Sequence, residues 1–175
     1  MCGIVGIIDF DNEDNININN LRLMMEKIKH RGPDDDGIYK DKNIALGHVR
    51  LSILDLSKAG HQPMFCNDER YVITFNGEIY NYIELKLELQ SMGYVFNSMT
   101  DTEVILAAYK EWGKECLKRF NGDWAFVIYD TKKKEVFGAR DRYGIKPFYY
   151  YKKNNNIIFS SELKAIIPLL KNKLA

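Results

Sequence analysis

Cysteine, proline and histidine are all scarce in this 175-residue chain, which has three cysteines, four prolines and three histidines. Cys2, Cys66 and Cys116 are odd in number and far apart. That excludes a disulfide framework and the paired-cysteine spacing of a zinc site. His30, His48 and His61 show no i, i+4 ligand spacing, so no metal site is expected. No stretch approaches the roughly 18–20 apolar residues of a membrane span. The N-terminus lacks a basic region, and Asp9 breaks its apolar run early, which argues against a secretory signal. Charge of one sign is also lacking: Lys and Arg number 25, Asp and Glu 24, a formal +1. Neither nucleic acid nor an anionic membrane is therefore expected as a main partner. The expected compartment is the cytoplasm, where a thiol stays reduced.

What remains is an ordinary globular composition, 46% hydrophobic and 28% charged, at a length that suits one domain with its own core. Residues 3–10 read as a buried β-branched strand. The Asn/Asp-rich residues 11–19 read as a loop, followed by a helix capped near Asn20 with Leu21, Met24, Met25 and Ile28 on one face. Short strands are expected at 37–40 and 44–48, then a turn-rich segment from Asp55 to Arg70. A strand from Tyr71 to Phe75 is expected to end at Asn76-Gly77, before a helix with Tyr82, Leu85, Leu89 and Met92 on one side. Residues 94–97 read as a brief strand. Thr100-x-x-Glu103 is a capping-box signature for a helix burying Val104, Ile105, Ala108 and Trp112. A short helix with Cys116 and Phe120, four strands near 124–129, 135–139, 148–152 and 157–160, and a helix over 162–170 complete the pattern. The mixed order implies a layered α+β architecture with antiparallel sheets rather than a doubly wound parallel one.

The second residue is the most suggestive. Removal of Met1 would give Cys2 both a thiol and a free α-amino group, and an unperturbed amine titrates at about 7.7–8.0. Such an amine can serve as a general base for its own residue's thiol. Cysteine is also among the most buried residue types, so position alone does not decide. Arg50, after an apolar strand, could hold a carboxylate in a bidentate fork or simply end the strand in solvent. The Asn76 amide and the Gly77 N–H can converge on one point, as an oxyanion hole requires. Asp101 could accept from a ligand ammonium or merely complement the dipole of its helix, and spacing does not separate the two. Together these groups would recognise an α-amino acid, and glutamine supplies a side-chain acyl carbonyl for the thiol.

These segments resemble the glutaminase domain of class II glutamine amidotransferases, within the N-terminal nucleophile hydrolases. They are most similar to the N-terminal domain of glutamine-hydrolysing asparagine synthetases. The matching stretches are MCGIVGI at 1–7, HRGPDDDG at 30–37, GHVRLSILDLS at 47–57 and GHQPM at 60–64. FNGEIYNY at 75–82, TDTEVIL at 100–106, FNGDWAFVIYD at 120–130, ARDRYGIKPFYY at 139–150 and FSSELKAI at 159–166 follow in order. The resemblance implies a four-layer αββα sandwich of two antiparallel sheets between helical layers. It implies Cys2 as nucleophile, with Asn76 and Gly77 as the oxyanion hole. It further implies a glutamine pocket of Arg50, Leu51, Ser52, Ile53, Leu54, Glu78 and Asp101. The 30–33 and 141–144 segments are expected to be structural or interdomain. A glutaminase domain is expected over 2–166, with 167–175 as a tail or linker. No pyrophosphate-binding loop occurs, so ATP and Mg²⁺ are expected only on a synthetase domain absent from these residues. That domain, as acceptor of ammonia, is the expected partner. The rival expectation is a catalytically idle module that binds and regulates such a partner.

Overall fold

The computed structural model describes residues 1–11, 15–53 and 57–170. Nine strands and four α-helices alternate along these residues, and every strand pair is antiparallel. One sheet holds β1 (Gly3–Asp9), β2 (Asp35–Asp41), β3 (Ile44–Arg50), β8 (Tyr149–Lys153) and β9 (Asn156–Ser160) in the order β2-β3-β1-β9-β8. The other holds β4 (Met64–Phe65), β5 (Tyr71–Ile79), β6 (Gly122–Asp130) and β7 (Glu135–Arg140) in the order β4-β5-β6-β7. Helices α1 (Ile18–Ile28) and α4 (Leu163–Leu170) cover the first sheet, and α2 (Tyr82–Ser91) and α3 (Asp101–Trp112) cover the second. This is the αββα sandwich.

Strand alternation builds the layers. Ile4 and Ile8 of β1 enter the core between the sheets, while Val5 and Ile7 face α1. In β6, Ala125, Val127 and Tyr129 join the inter-sheet core, and Trp124, Phe126 and Ile128 pack toward α3. Burial on both faces explains why these strands read as near-continuous apolar runs.

Several local expectations are corrected. The first helix starts at Ile18, because the Asn17 side chain caps it by accepting from Asn19 N–H at 2.9 Å. The strand at 71–75 does not stop at Asn76-Gly77. β5 pairs with β6 through to Ile79, so the Asn-Gly pair lies inside a sheet. A two-residue β4, which carries no periodic signal, pairs with β5. Residues 94–97 form no strand, because Glu103 takes the backbone N–H groups of Asn97 and Ser98, both at 2.8 Å. The capping box is therefore half made. Thr100 Oγ1 accepts from Glu103 N–H at 3.3 Å, but the Glu103 carboxylate reaches past Thr100. Met92 is exposed and Trp112 only half-buried. The last helix, by contrast, runs over Leu163–Leu170 as its pattern implies and buries Leu170, while 171–175 lie outside the described residues.

Candidate active site

The register of the first sheet sets the site. β1 pairs with β3 so that Gly3 lies opposite Val49. One step further along, Cys2 comes level with Arg50. The Cys2 thiol contacts the next residue, Leu51, receiving its N–H at 3.4 Å and lying 3.5 Å from its carbonyl. Arg31 Nε donates to the Cys2 carbonyl at 2.9 Å, and Arg31 Nη1 donates to Glu162 at 3.1 Å. Against the opposing effect of burial, Lys164, Arg31 and His30 hold the Glu162 carboxyl down to about 2. The short segment before β1 is thus fixed from behind by a charged cluster joining α1's end to α4's start.

Cys2, Arg50, Leu51, Ile53, Gly60, Gln62, Phe75, Gly77, Thr100, Asp101 and Thr102 line one cleft of about 70 Å³. Larger clefts lie elsewhere, about 450 Å³ between α1 and β2 and about 610 Å³ beside the 57–61 segment, but neither contains Cys2 or Asp101. Arg50 borders both the small cleft and the 57–61 one. Its guanidinium donates to Ser57 O at 2.9 Å. It lies so close to Gly60 that a Cβ there would fall 2.1 Å from Nη2, so any larger residue would push the guanidinium aside.

The opposite wall comes from β5 and the start of α3. Asp101, 5% exposed, accepts from Ile79 N–H at 2.9 Å. Burial pushes its carboxyl up to about 6, and the Glu78 charge adds to this against the Ile79 bond. Asn76 is buried, and its Nδ2 has no hydrogen-bond partner among the described residues. A buried donor left unpaired costs about 1–3 kcal/mol, a cost a bound acceptor would remove. At Gly77 an added Cβ would lie 2.3 Å from Asp123 O, so only glycine lets β5 run against β6 here. Burial raises the Cys2 thiol above its ordinary value, opposed by the Leu51 contact and by the positive charges of the N-terminal amine, Arg50 and Arg31.

Of the residues expected at a site, Cys2, Arg50, Leu51, Ile53, Gly77 and Asp101 line the one cleft. Asn76 lies in the wall strand next to Gly77, and Glu78 is half-buried close enough to act on Asp101. Ser52 faces the neighbouring cleft, its N–H bound by Asp34 at 2.8 Å. Leu54 lies outside the described residues. Cys66 and Cys116 are buried away from the cleft. Asp141 accepts from Tyr143, Ile145 and Lys146 N–H groups at 2.9–3.1 Å, the work of a structural turn. Sequence reasoning gave no place in the site to Gly60, Gln62, Thr100 or Thr102, although the GHQPM and TDTEVIL segments contain them and Thr100 was read as a helix cap. No group of His, Cys, Asp and Glu able to hold a metal occurs among the described residues. No helix there is long and apolar enough to cross a membrane.

The described residues thus form two stacked antiparallel sheets between helical layers, with the Cys2 thiol at the head of a central strand. The solved glutamine phosphoribosylpyrophosphate amidotransferase from B. subtilis, complexed with ADP and GMP, has this fold. It superposes with a TM-score of 0.79 at 22% identity, over 95% of this chain and 43% of that one. The family model of the glutamine amidotransferase domain matches residues 1–175, and the chain belongs to that family. Among curated proteins it is 43% identical to asparagine synthetase (glutamine-hydrolysing) 1 of Bacillus subtilis, over 95% of this chain and 27% of that protein. It is 39% identical to asparagine synthetase B (glutamine-hydrolysing) of Escherichia coli, over 98% of this chain and 31% of that protein. The chain thus spans about a third or less of these relatives' length.

Proposed function

We propose that this domain hydrolyses L-glutamine to L-glutamate and ammonia through a γ-glutamyl thioester on Cys2. The observation that carries the reading is the convergence of Cys2, Arg50, Gly77 and Asp101 on one cleft. In this reading Arg50 receives the α-carboxylate and Asp101 the α-ammonium, leaving the side-chain amide toward the thiol. Sγ attacks the amide carbon. The oxyanion is met by Asn76 Nδ2 and the Gly77 N–H, and ammonia leaves with the proton taken from the thiol. Water then cleaves the thioester and frees the thiol. Loss of Met1 would place the α-amine beside Sγ as the proton carrier, a role that the same nitrogen cannot fill within a peptide bond.

Ammonia is proposed to serve an asparagine-synthetase-type amidation on another domain, which would bind the ATP and Mg²⁺, in the cytoplasm. A glutaminase domain expected over 2–166, with α4 carrying the packed part on to Leu170 before any linker, suits that division. The test is glutamate release by purified protein whose intact mass shows Met1 removed. Cys2→Ala is expected to abolish release and keep the circular-dichroism spectrum, whereas Cys66→Ala and Cys116→Ala retain it. Turnover that survives Cys2→Ala would overturn the assignment. A folded, Met1-free parent that neither binds nor hydrolyses glutamine would identify an idle partner-binding module instead.

A further inference from the structure

Gln62 touches both halves of the cleft without belonging to the groups assigned to substrate. It is 6% exposed. Its Oε1 accepts from Phe75 N–H at 2.7 Å, and its Nε2 donates to Thr102 Oγ1 at 3.3 Å. Phe75 immediately precedes Asn76, and Thr102 immediately follows Asp101. One side chain therefore bridges the strand carrying the oxyanion donors and the helix start carrying the ammonium anchor.

Its placement follows from the second sheet. β4 pairs with β5 as Met64 to Ile73 and Phe65 to Val72. Continued backwards, that register sets Gln62 opposite Phe75, but the Gln62 backbone carbonyl lies against Gly37 instead of accepting from β5. The Gln62 amide takes the place of the missing backbone partner. The Phe75 carbonyl is bound from the other sheet by His48 Nε2 at 3.1 Å. His48, which burial pushes down to about 4, is a neutral donor there. Both polar backbone groups of Phe75 are thus gripped by buried side chains. An apolar residue of Gln62's volume would pack with no amide to desolvate, but would leave the Phe75 N–H unpaired.

Besides its apolar packing, the start of α3 is hydrogen-bonded to β5 at two points among the described residues, one direct and one through Gln62. One is the Asp101 bond to Ile79 N–H, made by a residue that glutamine is proposed to engage. The other is Gln62, which stays free of that duty. We infer that Gln62 is a positioning residue that fixes the separation between the Asn76–Gly77 donors and Asp101, so that one glutamine meets both at once. The inference rests on the glutamine reading above.

Steady-state glutamine hydrolysis by the Met1-free parent, Gln62→Met, Gln62→Glu and Thr102→Val tests it. Misplacement of reacting groups by about 1 Å costs on the order of 10²-fold, so Gln62→Met is expected to lose about that much kcat/KM, with kcat lowered and KM raised. Gln62→Glu keeps an acceptor for the Phe75 N–H and should recover most of kcat. Thr102→Val frees only the helix side and should raise KM severalfold while kcat stays near the parent's. A mere packing defect would lower the melting temperature without this division between kcat and KM. If Gln62→Met fails to fold, the KM rise in Thr102→Val carries the test. Values within about twofold of an active parent for every folded variant of Gln62 and Thr102 would overturn the inference alone. A parent that neither hydrolyses glutamine nor binds it in calorimetry would overturn the functional reading and this inference with it.

Discussion

The two walls of the cleft are made differently. The wall with Asn76, Gly77 and Asp101 lies on a nine-residue central strand and the capped first turn of a twelve-residue helix. The wall with Arg50 lies where β3 ends, and its bonds include Ser52 N–H to Asp34 and the Arg50 guanidinium to Ser57 O. The first wall is embedded in a core of Phe75, Ile79, Val104, Ile105 and Trp124. The second has Ile53 66% exposed. Regular, buried elements give the smaller positional spread, so they suit groups that must meet developing charge. A loop wall suits a group that admits, orients and releases the ligand.

If that division holds, substitutions on the two walls should fall on different kinetic constants. The largest effect is expected from Asn76→Ala, a loss in kcat on the order of 10²–10³ with KM little changed. A change confined to KM would break the comparison. Arg50→Ala should raise KM by on the order of 10², and lysine should rescue it only partly, because it lacks the planar fork. An unchanged KM would remove Arg50 from substrate binding.

Asp101 sharpens the comparison through pH. Its carboxyl, at about 6, must be ionised to attract an ammonium group, so KM should climb about tenfold per pH unit below about 6. Asp101→Asn should flatten that rise and lift KM at pH 7.5. The sign for stability is opposite. A carboxyl raised in the folded state binds its proton more tightly there than when unfolded. Its contribution is therefore most favourable below its unfolded value and declines as pH rises through about 6. Asp101→Asn should accordingly melt a few degrees higher than the parent at pH 8, and equal melting points would contradict the burial argument. The smallest effect should come from Gly60→Ala. Its Cβ displaces the flexible end of Arg50, so KM is expected to rise severalfold with kcat retained.

The layered fold was legible because buried strands leave near-continuous apolar runs and amphipathic helices leave a period near four in the chain. Leu21, Met24, Met25 and Ile28 are buried as their spacing implies. The site was legible residue by residue only where a motif carried it. Asp101 had two readings, and the structure makes them compatible, since it occupies the first turn of α3 and lines the cleft at once. Arg31 and Gln62 were not legible as parts of the site. Arg31 reaches Cys2 across 29 residues, and Gln62 reaches Thr102 across 40, and no local pattern encodes contacts of that range. The extension of β5 through Asn76-Gly77 was hidden because a turn dipeptide looks the same when sheet pairing overrides it.

One pairing has a consequence for synthesis. β1, with the proposed nucleophile Cys2 at its head, lies between β3 and β9, and Ile4 N–H is bound by Ser161 Oγ at 2.9 Å. β1 therefore waits for β9, synthesised much later, before its sheet is whole. A nascent chain shorter than about β9 has the thiol but not the frame that aims it. Under the proposed function, chains arrested before Asn156 should release no glutamate from glutamine, and glutamate release by such chains would contradict the dependence on β9.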